Sequence, residues 1–373
     1  MTWPAGRWRL LGGDGVAAAE GLATDEALAL SQSASDGADP APTLRLYTYR
    51  DHCVLVGRYQ NLGAEVDLDA CARRGADVNR RPTGGGAIIM GRDQLGVAMA
   101  VPAGAGEHPR QVLERFSRGI AAGLATLGID AVFRGKNDLA VDGRKVAGLG
   151  LYQAPGGGML LHSSVLADLD VEVMLDVLEI PAAKLGVTAG RAVAERVTTL
   201  SRLTGTRWDG RSLAEVVGRG FEQEFKAVLE PGVLTVEEQA TSARLVRDRY
   251  GSPAWWNEQS PRDEAMASAV VRLKAGVMRV FVARSGDTIK SVLLTGDFNV
   301  GPQRLVALEE SLRWKRFDAA TIAMTIESCV GADEDFAPVD ALVEAVLEAG
   351  ATVTQTAPRR SGSCYFPEVE TPT

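Results

Sequence analysis

The sequence predicts an α+β protein, with a sheet-rich domain flanked by helices and a small second α+β domain after it. Three observations predict this. Short alternating runs such as Leu44-Arg45-Leu46-Tyr47-Thr48-Tyr49 carry the two-residue period of half-buried strands. Residues 112–127 place apolar side chains at helical spacing. The chain has 373 residues, more than one core of ordinary size serves, so a large domain and a small one are expected.

The elements follow in order. Residues 8–11 read as a short strand, and 17–29 as a helix with Asp25 and Glu26 inside it. Residues 31–42, rich in Ser, Asp, Ala and Pro, read as a loop. Residues 44–49 and 53–57 read as strands, the second ended by Gly57, and 68–74 as a short helix. Residues 87–90 and 96–101 have the continuous apolar character of buried strands, and 112–127 form an amphipathic helix. Residues 139–148 read as a hairpin with Asp142-Gly143 at its turn, followed by a strand at 160–165. A helical pattern runs from Leu213 to about Leu229, breaks at Glu230-Pro231-Gly232 and resumes over 236–249. Residues 273–283 and 289–294 read as strands, 307–312 as the start of a helix and 340–349 as another. From Gln355 onward Pro, Ser and Gly predict a loosely held tail. The domain boundary is placed near Tyr250, giving domains 1–250 and 251–373.

Composition narrows the function. Hydrophobic residues are 46% and charged residues 24%, the balance of a soluble globular chain. Forty Lys and Arg against 48 Asp and Glu leave a net charge of -8, which argues against a nucleic-acid partner. No apolar run reaches the roughly 18 residues of a membrane span, and the first residues lack the apolar centre of a signal peptide. No membrane association and a cytoplasmic location are therefore expected. Cys53, Cys71, Cys329 and Cys364 form no CxxC pair, so neither a disulfide framework nor a zinc site is expected.

The densest chemical signal is Arg80-Arg81-Pro82-Thr83-Gly84-Gly85-Gly86-Ala87-Ile88-Ile89. Consecutive glycines let a ligand approach the main chain and aim N–H groups at an anion. The arginines add forked donors suited to phosphate or carboxylate. No Gly-Lys-Ser/Thr follows, and the spacing is not that of a dinucleotide fingerprint.

Arg-Arg-x-x-Gly-Gly-Gly-x-Ile resembles the signature of lipoate–protein ligases and their octanoyltransferase relatives. Further blocks agree in order: Thr24-Asp25-Glu26-Ala27, Gly57-Arg58-Tyr59-Gln60-Asn61 with Glu65-Val66-Asp67, and Asn137-Asp138-Leu139 with Gly143-Arg144-Lys145-Val146-Ala147-Gly148. Leu161-His162-Ser163-Ser164-Val165 and Arg196-Val197-Thr198-Thr199-Leu200 follow. The resemblance implies the fold of biotin and lipoate ligases. It also implies that Lys145 contacts both acyl carbonyl and phosphate, and that Arg81 and Gly84, Gly85, Gly86, Ala87, Ile88 and Ile89 cradle an adenylate. Asn137 and Asp138 become candidates for nucleotide contact, with Asp138 the candidate magnesium ligand. Met90-Gly91 stands where the family has His-Asp, which replaces a hydrogen-bonding imidazole by a thioether.

The family holds two chemistries. Ligases form an acyl adenylate from ATP; transferases carry the acyl group on a cysteine thiolate. The place of that cysteine reads Val132-Phe133-Arg134-Gly135-Lys136 here, and Gly-Lys-Asn-Asp resembles the ligase text Gly-Arg-Asn-Asp; a related transferase subgroup uses a lysine in place of the cysteine, so both chemistries stay open. Pro261, Val271-Arg272-Leu273-Lys274-Ala275-Gly276-Val277, Ile289-Lys290 and Thr295-Gly296-Asp297-Phe298, in that order, resemble the ligases' C-terminal accessory domain. The expected activity is activation of lipoate with ATP and Mg2+ to lipoyl-AMP, then transfer to a lysine of a lipoyl-domain acceptor protein. The alternatives are an octanoyl or lipoyl transferase working from an acylated carrier without ATP, and a non-catalytic lipoyl-binding or assembly protein. Biotin is not expected as substrate, because the arginine-rich loop of biotin ligases is absent.

Overall fold

The structure is a computed structural model that describes residues 3, 5–32, 41–103, 108–179, 195–261, 266–273, 276–297, 302–330 and 338–353. Most of the expected loop at 31–42, Phe298, Cys364 and the tail from Gln355 lie outside these residues. In chain order the elements are β1 (Gly6–Val16), α1 (Ala18–Ser31), β2 (Thr43–Tyr49), β3 (Cys53–Val56), α2 (Leu62–Glu65), α3 (Leu68–Arg74), β4 (Asp77–Arg80), β5 (Ile88–Met90) and β6 (Gln94–Pro102). Next come α4 (Pro109–Ala125), β7 (Val132–Arg134), β8 (Asp138–Val141), β9 (Arg144–Gln153), β10 (Gly158–Leu166), α5 (Val171–Val177), α6 (Leu200–Thr204) and α7 (Gly210–Phe225). After them stand β11 (Ala227–Pro231), α8 (Val236–Leu245), a π-helical turn (Val246–Tyr250) and α9 (Pro253–Trp256). The remainder is β12 (Ala267–Leu273), β13 (Gly276–Ser285), β14 (Thr288–Gly296), α10 (Pro302–Leu312), α11 (Ala319–Val330) and α12 (Val339–Thr352).

The chain divides into two compact units. The first takes residues 1–260 and two returning segments, 274–278 and 295–299; the second takes 261–273, 279–294 and 300–373. The sequence boundary was expected near Tyr250, yet Tyr250 and Trp255 are buried in the first unit's core beside α1. The chain leaves that core only after Ser260.

The first unit is built on an eight-stranded sheet in the order β11-β1-β2-β6-β10-β9-β8-β7. β11, β1 and β2 run parallel, and the other neighbouring pairs are antiparallel. The helices α4 and α7 cover one face, with Phe116 and Phe221 5.7 Å apart at ring centroids. Their close approach needs glycine: a Cβ on Gly220 would lie 2.2 Å from the Gly123 nitrogen. The other face receives α1, packed with α8 and the π-helical turn. A small sheet, β4-β3-β5, carries the glycine loop between β4 and β5 and packs on α2, α3 and α5. The second unit combines the β12-β13-β14 sheet with α10, α11 and α12.

Most expected elements lie where the periodicity put them, including α3 at its full length and the hairpin of β8 and β9. Asp142 (φ 49°) and Gly143 (φ 77°) both hold the left-handed conformation that a two-residue hairpin turn requires. One helix was read too long. It ends at Phe225 because Lys226 turns left-handed (φ 51°), and the next residues form β11 against β1. The strand β4, Asp77-Val78-Asn79-Arg80, was not read as a strand, because its polar text lacks the apolar signal; pairing with β3 defines it.

Candidate active site

The arginine pair turns away from solvent. Arg80 is fully buried and donates to the carbonyls of Gly57, Arg58, Gln60, Trp255 and Trp256. Burial pulls its pKa down to about 10. Arg81 is buried too. It donates to Leu55 O at 2.7 Å, Gly84 O at 2.8 Å, Gly86 O at 2.7 Å and Thr83 Oγ1 at 3.2 Å. Arg81 thus fixes the curve of the glycine loop from within, while its side chain also lines the cavity beneath that loop. The loop leaves no room behind it, since a Cβ on Gly57 would lie 2.0 Å from the Gly85 carbonyl oxygen.

Lys145 stands on β9 at a bulge. Leu139 pairs with Ala147 but Ala140 pairs with Lys145, so Val146 is the extra residue. Bulges re-aim a side chain, and here Lys145 Nζ reaches back to Asp138 Oδ1 at 2.6 Å. Asp138 is the cross-strand partner of Gly148, and the lysine lies over that glycine. A Cβ on Gly148 would sit 2.7 Å from Nζ. The lysine backbone is held by Thr198, whose N–H donates to Lys145 O at 2.8 Å. Asn137 Nδ2 donates to Leu149 O at 2.9 Å, and Asn137 O accepts from Leu149 N–H, which ties the residue beside Asp138 to the same bulge.

Two cavities meet at Lys145. The first, of about 130 Å³, is lined by Arg81, Gly84, Gly85, Gly86, Ala87, Ile88, Asn137 and Lys145 from the expected set. Its wall also includes Leu22, Tyr47, Tyr49, Met90 and His162. The second, of about 230 Å³, is mostly apolar and takes Ile89, Leu166, Leu169, Met174, Leu178 and Val197. Gly86, Ala87, Ile88, Lys145, Gly148 and Ser164 line both and so mark the junction. The expected residues are therefore brought together, except that Asp138 reaches the junction only through Lys145.

Sequence reasoning gave no role to Tyr47 and Tyr49. Their signal was the two-residue spacing of Tyr47 and Tyr49 on β2, which puts both on the α1 face. Behind them Asp25 and Arg45 form a buried ion pair at 2.5 Å, and Tyr47 donates to Asp25 Oδ2 at 2.8 Å. The neighbouring Glu26 accepts from Tyr250 at 2.5 Å and pairs with Arg249. The acidic helix text is thus an internal scaffold. His162 Nε2 lies 2.8 Å from Thr83 Oγ1. Loss of water around the ring, and then the nearby Arg81 charge, push the His162 pKa down to about 3, so it stays neutral.

No cysteine among the described residues lines either cavity. Burial pushes the Cys53 thiol well above its usual range and the Cys71 thiol up to about 11. Both are the opposite of an activated thiolate. Among the described residues no group of three or more His, Cys, Asp or Glu side chains is placed to hold a metal ion. A single carboxylate such as Asp138 suits an ion that takes its other ligands from phosphates and water, as Mg2+ does. No described helix is long and apolar enough to cross a membrane.

Residues 17–222 match the model of the lipoyl protein ligase A/B catalytic domain. The chain is 32% identical over 273 residues to octanoyltransferase LipM of Kyrpidia tusciae, covering 66% of this chain and 97% of that protein. It is 31% identical to the LipM of Symbiobacterium thermophilum over 278 residues, covering 66% and 97%. Among solved structures it resembles the bi-partite lipoate protein ligase of Thermoplasma acidophilum, with a TM-score of 0.60 and 25% identity over 70% of this chain and 98% of that one. It shares the fold of P. falciparum LipL1, solved in complex with lipoate, with a TM-score of 0.69 and 15% identity over 91% and 99%. With the family model spanning more than half of the chain and the glycine loop, Lys145 and both cavities inside or beside the matched span, this chain belongs to the lipoyl protein ligase A/B family.

Proposed function

We propose that the chain activates lipoate with ATP and transfers the lipoyl group to a lysine of a lipoyl-domain protein. The observation that carries this reading is the position of Lys145 at the junction of two cavities, with Asp138 as its partner. The first cavity takes the acyl chain and the second the nucleotide. A carboxylate oxygen of lipoate attacks the α-phosphorus, and the bond to pyrophosphate breaks. Lys145 neutralises the carboxylate and then the mixed anhydride, which is electrostatic stabilisation of charge developing at the reacting atoms. Arg81 and Gly84–Gly86 fix the loop shape, and the main chain from Gly84 to Ile89 faces the adenylate. Mg2+ travelling with the triphosphate would supply charge neutralisation there, and Asp138, paired with Lys145 in this structure, is the carboxylate that would hold it. In the second half-reaction the acceptor amine attacks the carbonyl carbon, the bond to AMP breaks, and the amine proton passes to solvent.

A second reading, octanoyl transfer from an acylated carrier without ATP, is favoured by the LipM relatives. Against it stand the raised pKa values of Cys53 and Cys71 and their absence from both cavity linings. Lipoate-dependent exchange between ATP and pyrophosphate tests the choice. Exchange is expected. Carrier-dependent transfer without ATP, with a trapped thioester on a cysteine, would move the chain to the transferase reading.

A further inference from the structure

Two surface features of the second unit fit each other in shape and charge. One is the turn between α10 and α11, Arg313-Trp314-Lys315-Arg316. Trp314 is 63% exposed, and Arg313 and Lys315 beside it are exposed as well. The turn is pinned from behind. Trp314 N–H donates to Ile289 O at 2.7 Å, Ile289 N–H to Lys315 O at 2.9 Å and Phe317 N–H to Asp287 O at 2.7 Å, so the turn adds to the edge strand β14. Trp314 holds φ 65°, a conformation that a bulky residue adopts only under constraint. A fixed backbone thus holds a large ring out in water, with the Arg313 guanidinium 5.3 Å from its centroid.

The other feature is a groove of about 700 Å³ between α11 and α12. Ala320 and Ala323 of α11 and the half-buried Val343 and Leu347 of α12 give it apolar surface. Asp340, Glu344 and Glu348 also line it, exposed and four residues apart on one side of α12. Like charges at that spacing repel each other, so the acidic ridge gains from a cationic partner. Phe317 joins the two features. A Cβ on Gly350 would lie 2.2 Å from its Cε2, so the ring that follows the turn seats on α12 next to Ala351, which also lines the groove.

A partner that fills the groove needs an apolar body flanked by cations, and the turn has that chemistry. A partner that covers the turn needs an apolar, acid-rimmed hollow, and the groove has that chemistry. Trp314 does not line its own groove. A second copy of the chain offers both surfaces at once. Two-fold symmetry makes the exchange reciprocal and closes the assembly. Trp and Arg are the residue types that most often anchor such contacts.

We propose that the chain pairs with a second copy through this unit, Trp314 of each copy seated in the α11–α12 groove of the other, with Arg313 and Lys315 facing the acidic ridge of Asp340, Glu344 and Glu348. The pairing does not depend on how the two cavities of the first unit are assigned.

The test is sedimentation velocity of the full-length chain across a range of concentration and salt. A dimer is expected, and it weakens as salt rises because exposed charges are screened. Trp314→Ala is expected to raise its Kd about tenfold or more, the scale of an interface anchor. Two charge reversals separate lost contact from lost folding: Arg313→Glu with Lys315→Glu, and Glu344→Lys with Glu348→Lys. Each reversed chain alone sets like charges together at both contacts and is expected to be monomeric. Mixed in equal amounts the two are complementary at both contacts, and a heterodimer is expected. A wild type that stays monomeric at submillimolar concentration, a larger ring or open chain, a dimer indifferent to Trp314→Ala or to either reversal, or a mixture that does not pair overturns the proposal.

Discussion

Lys145 Nζ and Asp138 Oδ1 lie 2.6 Å apart across two paired strands, in a gap left open by the missing side chain of Gly148. The pair is partly exposed, at 34% and 40% of the side chains, so it contributes little to stability, about 1 kcal/mol or less. Lys145→Ala is therefore expected to fold normally and to lose about two or more orders of magnitude in adenylate formation. Near-normal turnover in a folded variant refutes the assignment of Lys145.

Gly148 gives a subtler variant of the same test. In Gly148→Ala the new methyl meets Nζ and Cε, the movable end of a long side chain, rather than backbone. The strand accepts the change and the amine is displaced. Activity is expected to fall about ten- to a hundredfold, the scale for a misplaced reacting group, while the melting temperature shifts little. Unaltered kcat/KM shows that the amine does not act from this position.

The cysteines give a class test. A chain with Cys53→Ala, Cys71→Ala, Cys329→Ser and Cys364→Ser keeps the apolar character of the two buried sites. Its pyrophosphate exchange is expected to match that of the wild type. Loss of activity traced to one cysteine in a folded protein counts for the transferase reading.

His162 makes the stability of the fold depend on pH. Its folded pKa is about 3 against 6.5 in the unfolded chain. Between these values the unfolded state binds the extra proton, so this residue's contribution is full above pH 6.5 and is lost as pH falls toward 3. Melting temperatures from pH 7 to pH 4 are expected to fall less steeply in His162→Gln than in the wild type. Parallel curves mean the imidazole is not held neutral. The activity profile is likewise expected to show no step near pH 6.5 that disappears in His162→Gln.

The structural role of residues 251–260 is testable by truncation. A chain ending at Tyr250 lacks Trp255 and Trp256, whose carbonyls accept from Arg80. Each buried donor left unpaired costs about 1–3 kcal/mol, so 1–250 is expected to be far less stable than 1–260 by urea denaturation. The 1–260 chain is expected to bind a non-hydrolysable lipoyl-AMP analogue, because every residue lining the two cavities lies before residue 200. Equal stability of the two truncations removes the structural role given to 251–260.

What the sequence determined by itself was local. Three glycines after two arginines specify a loop that lines a cavity, and Asp142-Gly143 specifies the turn that pairs the strand of Lys145 with the strand of Asp138. Both messages are written within about a dozen residues, where backbone conformation is set by residue type. The tertiary structure decided where charges point. Arg80 and Arg81 read as phosphate donors, yet their guanidinium groups meet carbonyls of Trp255, Trp256, Leu55 and the loop itself, because buried carbonyls need donors. Asp25 on α1 finds Arg45 on β2, and Glu26 finds Arg249 and Tyr250, more than 200 residues away, so the acidic helix is internal rather than a surface. Tyr47 and Tyr49 become a cavity wall only when α1 and β6 close over them. Such partners are chosen by packing, and no local period in the chain encodes them.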